Sequence, residues 1–288
     1  IDSHIHLSQH YSGGLKNDWH PEQPEEGFHT DFTEVDYRAC IKKSGFPVKH
    51  AVFVECFNRP PIEEAKWVLS MIEDPKSMVC ALTAQIYAQK GAAAVNEFLD
   101  LLRLEDGSLP PGLKGGRMVF MASENNSADA CLEPLFLEGL AALEKAGLHW
   151  EFTCNPTMVP NLAACCAKFP GMTFVICHLA HNGNDGGEMD KWGPAIGSLA
   201  ALPNVYCKMG AVEEWDVPNP EDYMDHAIKA FGFDRILYES NWFVNCAMGH
   251  SYERTLLMLL RACGRAGATK EDLSKVFAGN ARKVYRLQ

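Results

Sequence analysis

Eight short apolar segments, each followed by a stretch with helical periodicity, constrain the fold of this 288-residue chain more than any other feature. Short apolar runs bounded by turn residues are typical of strands that are buried on both faces, as in parallel sheets. The segments begin near residues 1, 50, 78, 112, 149, 173, 205 and 235. Helical patterns are predicted at residues 61–72, 92–104, 132–145, 159–169, 192–202, 221–231 and 251–266.

This alternation of strand and helix predicts an α/β fold, a single (β/α)8 barrel of the TIM type. Barrels of this kind use about 250 residues. No linker or shift in composition divides the chain, so we expect one domain over residues 1–288. An open, doubly wound sheet is the alternative, but it usually carries a glycine fingerprint after its first strand, and residues 1–12 contain no glycine.

Composition limits the partners that the chain can have. Lysine and arginine number 26 against 37 aspartates and glutamates, a formal net charge of −11. This acidic excess argues against binding to nucleic acid or to an anionic membrane surface, so we expect a small-molecule substrate. The acidic composition is also compatible with a homo-oligomer. No apolar run approaches the ~20 residues of a membrane-spanning helix.

The cysteines and the first residue bear on the compartment. Eleven cysteines occur without any CxxC spacing, several of them inside apolar segments. This usage predicts reduced, packed thiols and a cytoplasmic protein. The chain starts at Ile1, already within a strand, so a targeting segment before it would not be visible.

Polar residues collect at the carboxyl ends of the predicted strands, where barrels of this type carry their active sites. His4 and His6 are two residues apart on the first strand, so they project from the same face and are able to bind one metal ion or one polar substrate. The other polar residues at strand ends are Asn155, His178, Lys208, Glu239 and Asn241. Ordinary polar strand residues, or a packed core histidine at position 178, are the alternative interpretation.

Several of these segments together resemble the amidohydrolase superfamily. They are DSHIHL (2–7), GLKGGR (112–117), VICHL (175–179), VYCKMG (205–210), DRILYESNW (234–242) and ARKVYRL (281–287). The branch that the chain is most similar to holds pyrone dicarboxylate and sugar-acid lactonases and carboxymuconate-semialdehyde decarboxylases. The resemblance implies a metal-dependent hydrolase barrel with histidines on strands one, five and six and an aspartate on strand eight.

His4, His6 and His178 match that pattern, but two positions depart from it. Strand five ends in Cys154 and Asn155, and its only histidine, His149, stands at the wrong end of the strand. Strand eight carries Asn241 in place of the usual aspartate, as in a related subgroup with Glu-Ser-Asn at this point.

Asparagine cannot serve as a general base, so we expect Glu239, two residues before Asn241, to act as proton acceptor or metal ligand. A buried ion pair of Glu239 with a lysine or arginine is the alternative. Cys154 is either a soft ligand or a packed thiol. Because the strand-five imidazole and the strand-eight carboxylate are missing, we expect one weak metal site or none. A zinc site becomes credible if Glu239 reaches His4, His6 and His178.

Candidate substrate-binding residues are Arg117, Lys114, Lys208, Trp19 and His181. Arg117 resembles the strand-four arginine of the family, which holds a carboxylate or a lactone oxygen, and a guanidinium suits that role. Lys114 has the opposite parity on its strand and joins Arg117 inside the barrel only if the glycines between them form a bulge. Lys208 is either a substrate anchor or a buried ion-pair partner. Trp19 and His181 are assigned to a lid and a loop at the mouth, with plain surface loops as the alternative.

These observations predict a hydrolase that opens a small carboxylated or polyhydroxylated lactone. His4, His6 and His178 would hold either one divalent ion, zinc first, or the substrate carbonyl without any metal, while Glu239 and Asn241 position water. One alternative is a metal-dependent decarboxylase of an aromatic or muconate acid. The other is a catalytically silent barrel that serves as a binding protein.

Overall fold

Eight parallel strands form one sheet in which the spatial order of the strands is their order in the chain. The computed structural model describes residues 1–12, 14–18, 30–120, 127–153, 156–180, 189–212 and 219–287. The strands are β1 (Asp2–Ile5), β2 (Ala51–Val54), β3 (Val79–Gln85), β4 (Leu113–Val119), β5 (His149–Thr153), β6 (Phe174–Ile176), β7 (Val205–Lys208) and β8 (Ile236–Leu237). Each begins within one residue of its predicted start.

The sheet closes into a barrel between its first and last strands. The backbone N–H of Ser3 donates to the carbonyl of Tyr238 at 3.1 Å, and that of His6 donates to the carbonyl of Trp242 at 2.6 Å. A parallel bridge joins Ile5 to Trp242. The prediction of a (β/α)8 barrel is therefore confirmed, and the open sheet is excluded.

Helices connect successive strands, and further helices follow the last strand. The connecting helices are α1 (Glu34–Ser44), α2 (Pro61–Glu73), α3 (Gly91–Asp100), α4 (Pro134–Lys145), α5 (Val159–Cys166), α6 (Met189–Ala200) and α7 (Pro220–Phe231). Those after the last strand are α8 (Val244–Ala247), α9 (Tyr252–Arg265), α10 (Lys270–Ser274) and α11 (Asn280–Val284). The sequence analysis did not predict α1, because only Tyr37 and Ile41 of this helix are buried and its apolar stripe is narrow. Among the described residues, no helix has the length and apolar character needed to cross a membrane.

The carboxyl-terminal segment packs against the inside of the barrel. Ala281, Val284 and Tyr285 lie in one buried apolar cluster with residues from five strands, namely Val52, Val54, Ala81, Val175, Tyr206 and Leu237. A larger cluster fills the space between the strands and the surrounding helices. Because α11 packs at the strands' amino-terminal end, the opposite end is the one left for a site.

A short ribbon lies just beyond the end of β2. The strands Lys16–Asn17 and Asn58–Arg59 pair in antiparallel fashion, with Lys16 opposite Arg59. The Asn17 amide donates to the carbonyl of Cys56 at 2.6 Å and to Asn58 Oδ1 at 2.9 Å. This ribbon ties the segment after β1 to the carboxyl end of β2.

Candidate active site

His4 and His6 meet at the end of β1. Their Nε2 atoms are 3.2 Å apart, and both rings are buried. His6 Nδ1 lies 2.9 Å from the carbonyl oxygen of Val54. A carbonyl only accepts hydrogen bonds, so Nδ1 of His6 carries the proton and its Nε2 presents a lone pair toward His4.

His178 and Glu239 bring two further strand ends to this pair. His178 follows β6, and its ring centroid is 4.7 Å from that of His4. Glu239 Oε1 accepts hydrogen bonds from His178 Nδ1 at 3.0 Å, from the His178 backbone N–H at 3.0 Å and from the Gly210 backbone N–H at 3.1 Å. Donation from Nδ1 leaves Nε2 of His178 as the atom with a lone pair.

The backbone that carries His178 is strained. His178, Leu179 and Ala180 have φ values of 52°, 51° and 57°, in the left-handed region that side chains with a Cβ rarely adopt. Such residues cost about 1–3 kcal/mol each and cluster at functional sites. Three in succession at the end of β6 turn His178 toward Glu239.

The second oxygen of Glu239 has no hydrogen-bond donor among the described residues. Oε2 is buried and lies 3.0 Å from His4 Nδ1, in a direction that makes no hydrogen bond. A buried carboxylate oxygen without a partner is costly unless an ion or another donor satisfies it. Glu239 therefore reaches the histidines, which is the condition stated above for a credible zinc site.

The donor set fits a divalent metal ion. Ligand atoms of His4, His178 and Glu239 all lie within 4.8 Å of one another. Two nitrogens bound to a tetrahedral zinc ion at ~2.0–2.1 Å lie about 3.3–3.4 Å apart. The separation of 3.2 Å between the Nε2 atoms of His4 and His6 is close to that spacing. Among the described residues, His4, His178 and Glu239 therefore form one group of candidate zinc ligands, and His6 lies beside His4 without belonging to that group.

Arg117 lies beside the histidines but is already paired. Its Nε donates to Glu55 Oε1 at 3.0 Å, and its Nη2 donates to the Glu55 carbonyl at 3.0 Å. Its Nη1 lies 3.3 Å from His4 Nε2 and donates to Thr153 Oγ1 at 3.2 Å. Arg117 is 1% exposed, so this buried guanidinium is neutralised by Glu55.

Lys208 forms a second buried ion pair. Its Nζ is 2.5 Å from Glu151 Oε2 and 3.3 Å from His4 Nδ1. Of the two roles left open for Lys208, its contacts are those of an ion-pair partner. Burial alone would raise the pKa of Glu151, but Lys208 and His149 outweigh it and hold the pKa well below its usual value. Tyr285 also donates to Glu151 Oε1, at 2.8 Å.

Burial and nearby cations keep His4 and His6 neutral. Burial lowers the pKa of His4 well below its usual value, and the charge of Lys208 lowers it further. Burial also lowers the pKa of His6, with Arg117 the next cause. Neutral imidazole is the form that binds metals and accepts protons.

The remaining predicted site residues include Asn241 and four that the structure does not describe. Asn241 is buried, with φ of 56°, and its backbone N–H donates to the carbonyl of His4 at 3.1 Å. Because β8 ends at Leu237, strand parity does not decide where the side chains of Glu239 and Asn241 point. Trp19, Cys154, Asn155 and His181 lie outside the described residues.

The structure does not bring Lys114 to the site, which corrects its prediction as a substrate-binding residue. Its Nζ lies 3.5 Å from the carbonyl oxygen of Arg286, at the carboxyl-terminal segment. The register between β3 and β4 is irregular between Leu82 and Thr83, so Lys114 is the unpaired residue there. From Gly115 to Arg117 the strand pairs in regular register with β3 and β5, so the glycines form no bulge and Lys114 keeps the parity opposite to that of Arg117.

Sequence reasoning missed Glu55 and Glu151, the carboxylates that neutralise Arg117 and Lys208. Both are fully buried. A signal was present, because each is a lone carboxylate within or next to an otherwise apolar strand segment. A charge in such a position is almost always paired, so an opposite charge on a neighbouring strand was to be expected.

Comparison with known proteins agrees with this architecture. The family model described as Amidohydrolase matches residues 1–287. An L-fucono-1,5-lactonase from Burkholderia ambifaria is 27% identical over 296 aligned positions, covering 100% of this chain and 95% of that protein.

Two solved structures share the fold over the whole chain. An amidohydrolase from Burkholderia multivorans, with bound zinc, superimposes with a TM-score of 0.80 at 19% identity, covering 100% of this chain and 99% of that one. A probable 2-pyrone-4,6-dicarboxylic acid hydrolase from Acinetobacter baumannii superimposes with a TM-score of 0.71 at 14% identity, with the same coverage.

Proposed function

The chain belongs to the amidohydrolase family, and on that premise we propose that it hydrolyses the ester bond of a small lactone. The observation that carries this proposal is the meeting of His4, His6, His178 and Glu239 at the carboxyl ends of β1, β6 and β8. The relative named L-fucono-1,5-lactonase, aligned over the full chain, supports the same reaction.

His178 is the proton acceptor in this proposal. Glu239 Oε1 accepts a hydrogen bond from His178 Nδ1, which leaves Nε2 free to take a proton from an attacking water. Oε1 already accepts three hydrogen bonds, so Glu239 is better suited to orient His178 than to accept the proton itself. The carboxylate also stabilises the imidazolium that forms, as in other histidine–carboxylate pairs.

Polarisation of the lactone carbonyl comes from the cationic side of the site. The Arg117 guanidinium reaches within 3.3 Å of His4 Nε2 and is held in place by Glu55 and Thr153. Donors that are fixed before the reaction stabilise a developing oxyanion without reorganisation. A divalent ion would be held by His4, His178 and Glu239, where it would supply Lewis-acid polarisation and a more acidic water; His178 Nε2 would then be a ligand and not the proton acceptor.

The charge distribution favours an uncharged, polyhydroxylated lactone over a carboxylated one. The buried cations Arg117 and Lys208 are matched by Glu55 and Glu151, while Glu239 adds a further carboxylate. The residues outside the described ranges contain nine carboxylates and no lysine or arginine, so they cannot supply a cation wherever they lie. Without a bound divalent ion, these side chains carry a net negative charge, which repels a substrate carboxylate. The same argument disfavours decarboxylation of an aromatic acid.

A panel of lactones tests the proposal. Purified protein would be assayed with a pH indicator against uncharged aldono-1,5-lactones and against carboxylated lactones, with zinc content measured on the same preparation. We expect hydrolysis of the uncharged lactones that is lost in His178→Asn. The proposal would be refuted if the protein does not raise the hydrolysis rate of any lactone above its spontaneous rate, or if the His178→Asn variant is as active as the original.

A further inference from the structure

Arg59 occupies a position at the mouth that the proposed mechanism does not use. It ends the short ribbon beyond β2, next to the carboxyl end of β3. Gln85, the last residue of β3, pairs in register with Arg117 on β4. Since Arg59 Nη1 donates to Gln85 Oε1 at 2.5 Å, its guanidinium adjoins the rim of the site that holds Arg117.

Three acceptors hold the guanidinium of Arg59 in place. Besides Gln85, they are Tyr87, whose hydroxyl accepts from Nη1 at 2.7 Å, and Asp18, whose Oδ2 accepts from Nε at 2.6 Å. Among the described residues, Nη2 has no hydrogen-bond partner, and 30% of the side chain is exposed. A guanidinium held by Nε and Nη1 keeps its remaining N–H donors available in a defined orientation.

The carboxylate of Asp18 affects which ligand groups the free N–H donors of Arg59 can bind. Its carboxylate neutralises the guanidinium but leaves Nη2 as a hydrogen-bond donor. A neutral pair with a free donor suits a hydroxyl oxygen, whereas an unpaired guanidinium would favour a carboxylate. We infer that the Asp18–Arg59 pair is a specificity determinant, in which Arg59 binds a hydroxyl group of the lactone and Asp18 disfavours carboxylated lactones. This inference rests on the proposed function for the nature of its ligand.

An exposed ion pair of this kind contributes little to stability, at most about 1 kcal/mol. Stability therefore does not account for an arginine held by three acceptors at the edge of a site. The neighbouring acceptor Gln85 is only 2% exposed, so the arrangement is built on a rigid strand end.

Binding of two lactams tests the inference without depending on turnover. The probes are a hexono-1,5-lactam, which is uncharged, and the corresponding lactam with a carboxylate at C6, each titrated calorimetrically into the full chain. In Asp18→Asn we expect the carboxylated lactam to gain about five- to tenfold in affinity relative to the uncharged one. The matched control is Asp100→Asn. It removes the same charge from another exposed pair, Asp100 Oδ1 with Arg103 Nε at 2.8 Å, at the far end of α3.

The Arg59→Met variant tests the second part of the inference, the hydrogen bond from Arg59 to the lactone. Loss of a hydrogen bond from a charged donor predicts about a 10- to 100-fold weaker affinity for the uncharged lactam, with partial recovery in Arg59→Lys. If the affinity for the carboxylated lactam, relative to that for the uncharged lactam, is the same in Asp18→Asn as in Asp100→Asn, the inference is refuted. A native protein that binds neither lactam also refutes it. A protein that shows the expected shift in ratio but hydrolyses no lactone refutes the proposed function alone.

Discussion

Replacement of Glu239 by glutamine separates its positioning role from its role in stability. The glutamine carbonyl retains the three hydrogen bonds that Oε1 accepts from His178 and Gly210. The amide nitrogen takes the place of Oε2, 3.0 Å from His4 Nδ1. The variant thus removes the negative charge and one metal-ligand candidate but leaves the backbone donors satisfied.

The expected effect on the reaction is large. Removal of the carboxylate charge behind a catalytic imidazole costs up to about 10⁴-fold in kcat in serine proteases, because the imidazole loses its correct tautomer and its counter-charge. We expect Glu239→Gln to lower kcat by about 10²- to 10⁴-fold with less than a threefold change in KM. The thermal midpoint should fall by no more than a few degrees, since the backbone N–H groups of His178 and Gly210 keep their acceptor.

Glu239→Ala is the contrasting variant. It leaves the backbone N–H groups of His178 and Gly210 without their acceptor, at about 1–3 kcal/mol for each buried group. We therefore expect a loss of several kcal/mol in the free energy of unfolding, measured by urea denaturation. Lactonase rates, zinc per chain and thermal midpoints would be compared for both variants. A folded Glu239→Gln protein with kcat within tenfold of the original would contradict the role given to Glu239.

Three further predictions concern other buried charges. Lys208→Met should lower the free energy of unfolding by about 3–5 kcal/mol in urea titration, because the buried carboxylate of Glu151 loses its lysine counter-charge, and Lys208→Met with Glu151→Gln should recover most of that loss. Burial, with the charge of Glu55 next, raises the pKa of Glu64 to about 8, above its value in the unfolded chain. The folded state therefore holds this proton where the unfolded state releases it, so stability should fall by a few kcal/mol as the pH rises from about 4.5 to 8; Glu64→Gln should flatten that slope in denaturation followed against pH. Lys114→Ala should leave kcat/KM within twofold in the lactone assay, since Lys114 contacts Arg286 away from the histidines.

Local patterns in the sequence were sufficient to predict the barrel and to predict which strand ends carry the candidate site residues. The apolar segments and helical periodicities are properties of neighbouring residues, so they predicted where the eight strands begin to within one residue. The barrel rule then placed His4, His6, His178 and Glu239 at one end. The hydrogen-bond distances between His4 and His6 and between His178 and Glu239 do not follow from strand positions and were decided by the tertiary structure.

Tertiary structure decided which charges are paired and which side chains leave the site. Glu55 with Arg117 and Glu151 with Lys208 are separated by 62 and 57 residues, so no local pattern indicates that these groups neutralise each other. Lys114 is on the face that strand parity gives it, opposite to Arg117; the bulge at Gly115 and Gly116 that would have brought both inside does not form, because these residues pair in regular register with both neighbouring strands. A strand's own sequence fixes the alternation of its faces, whereas register and barrel closure depend on contacts between strands that are distant in the chain.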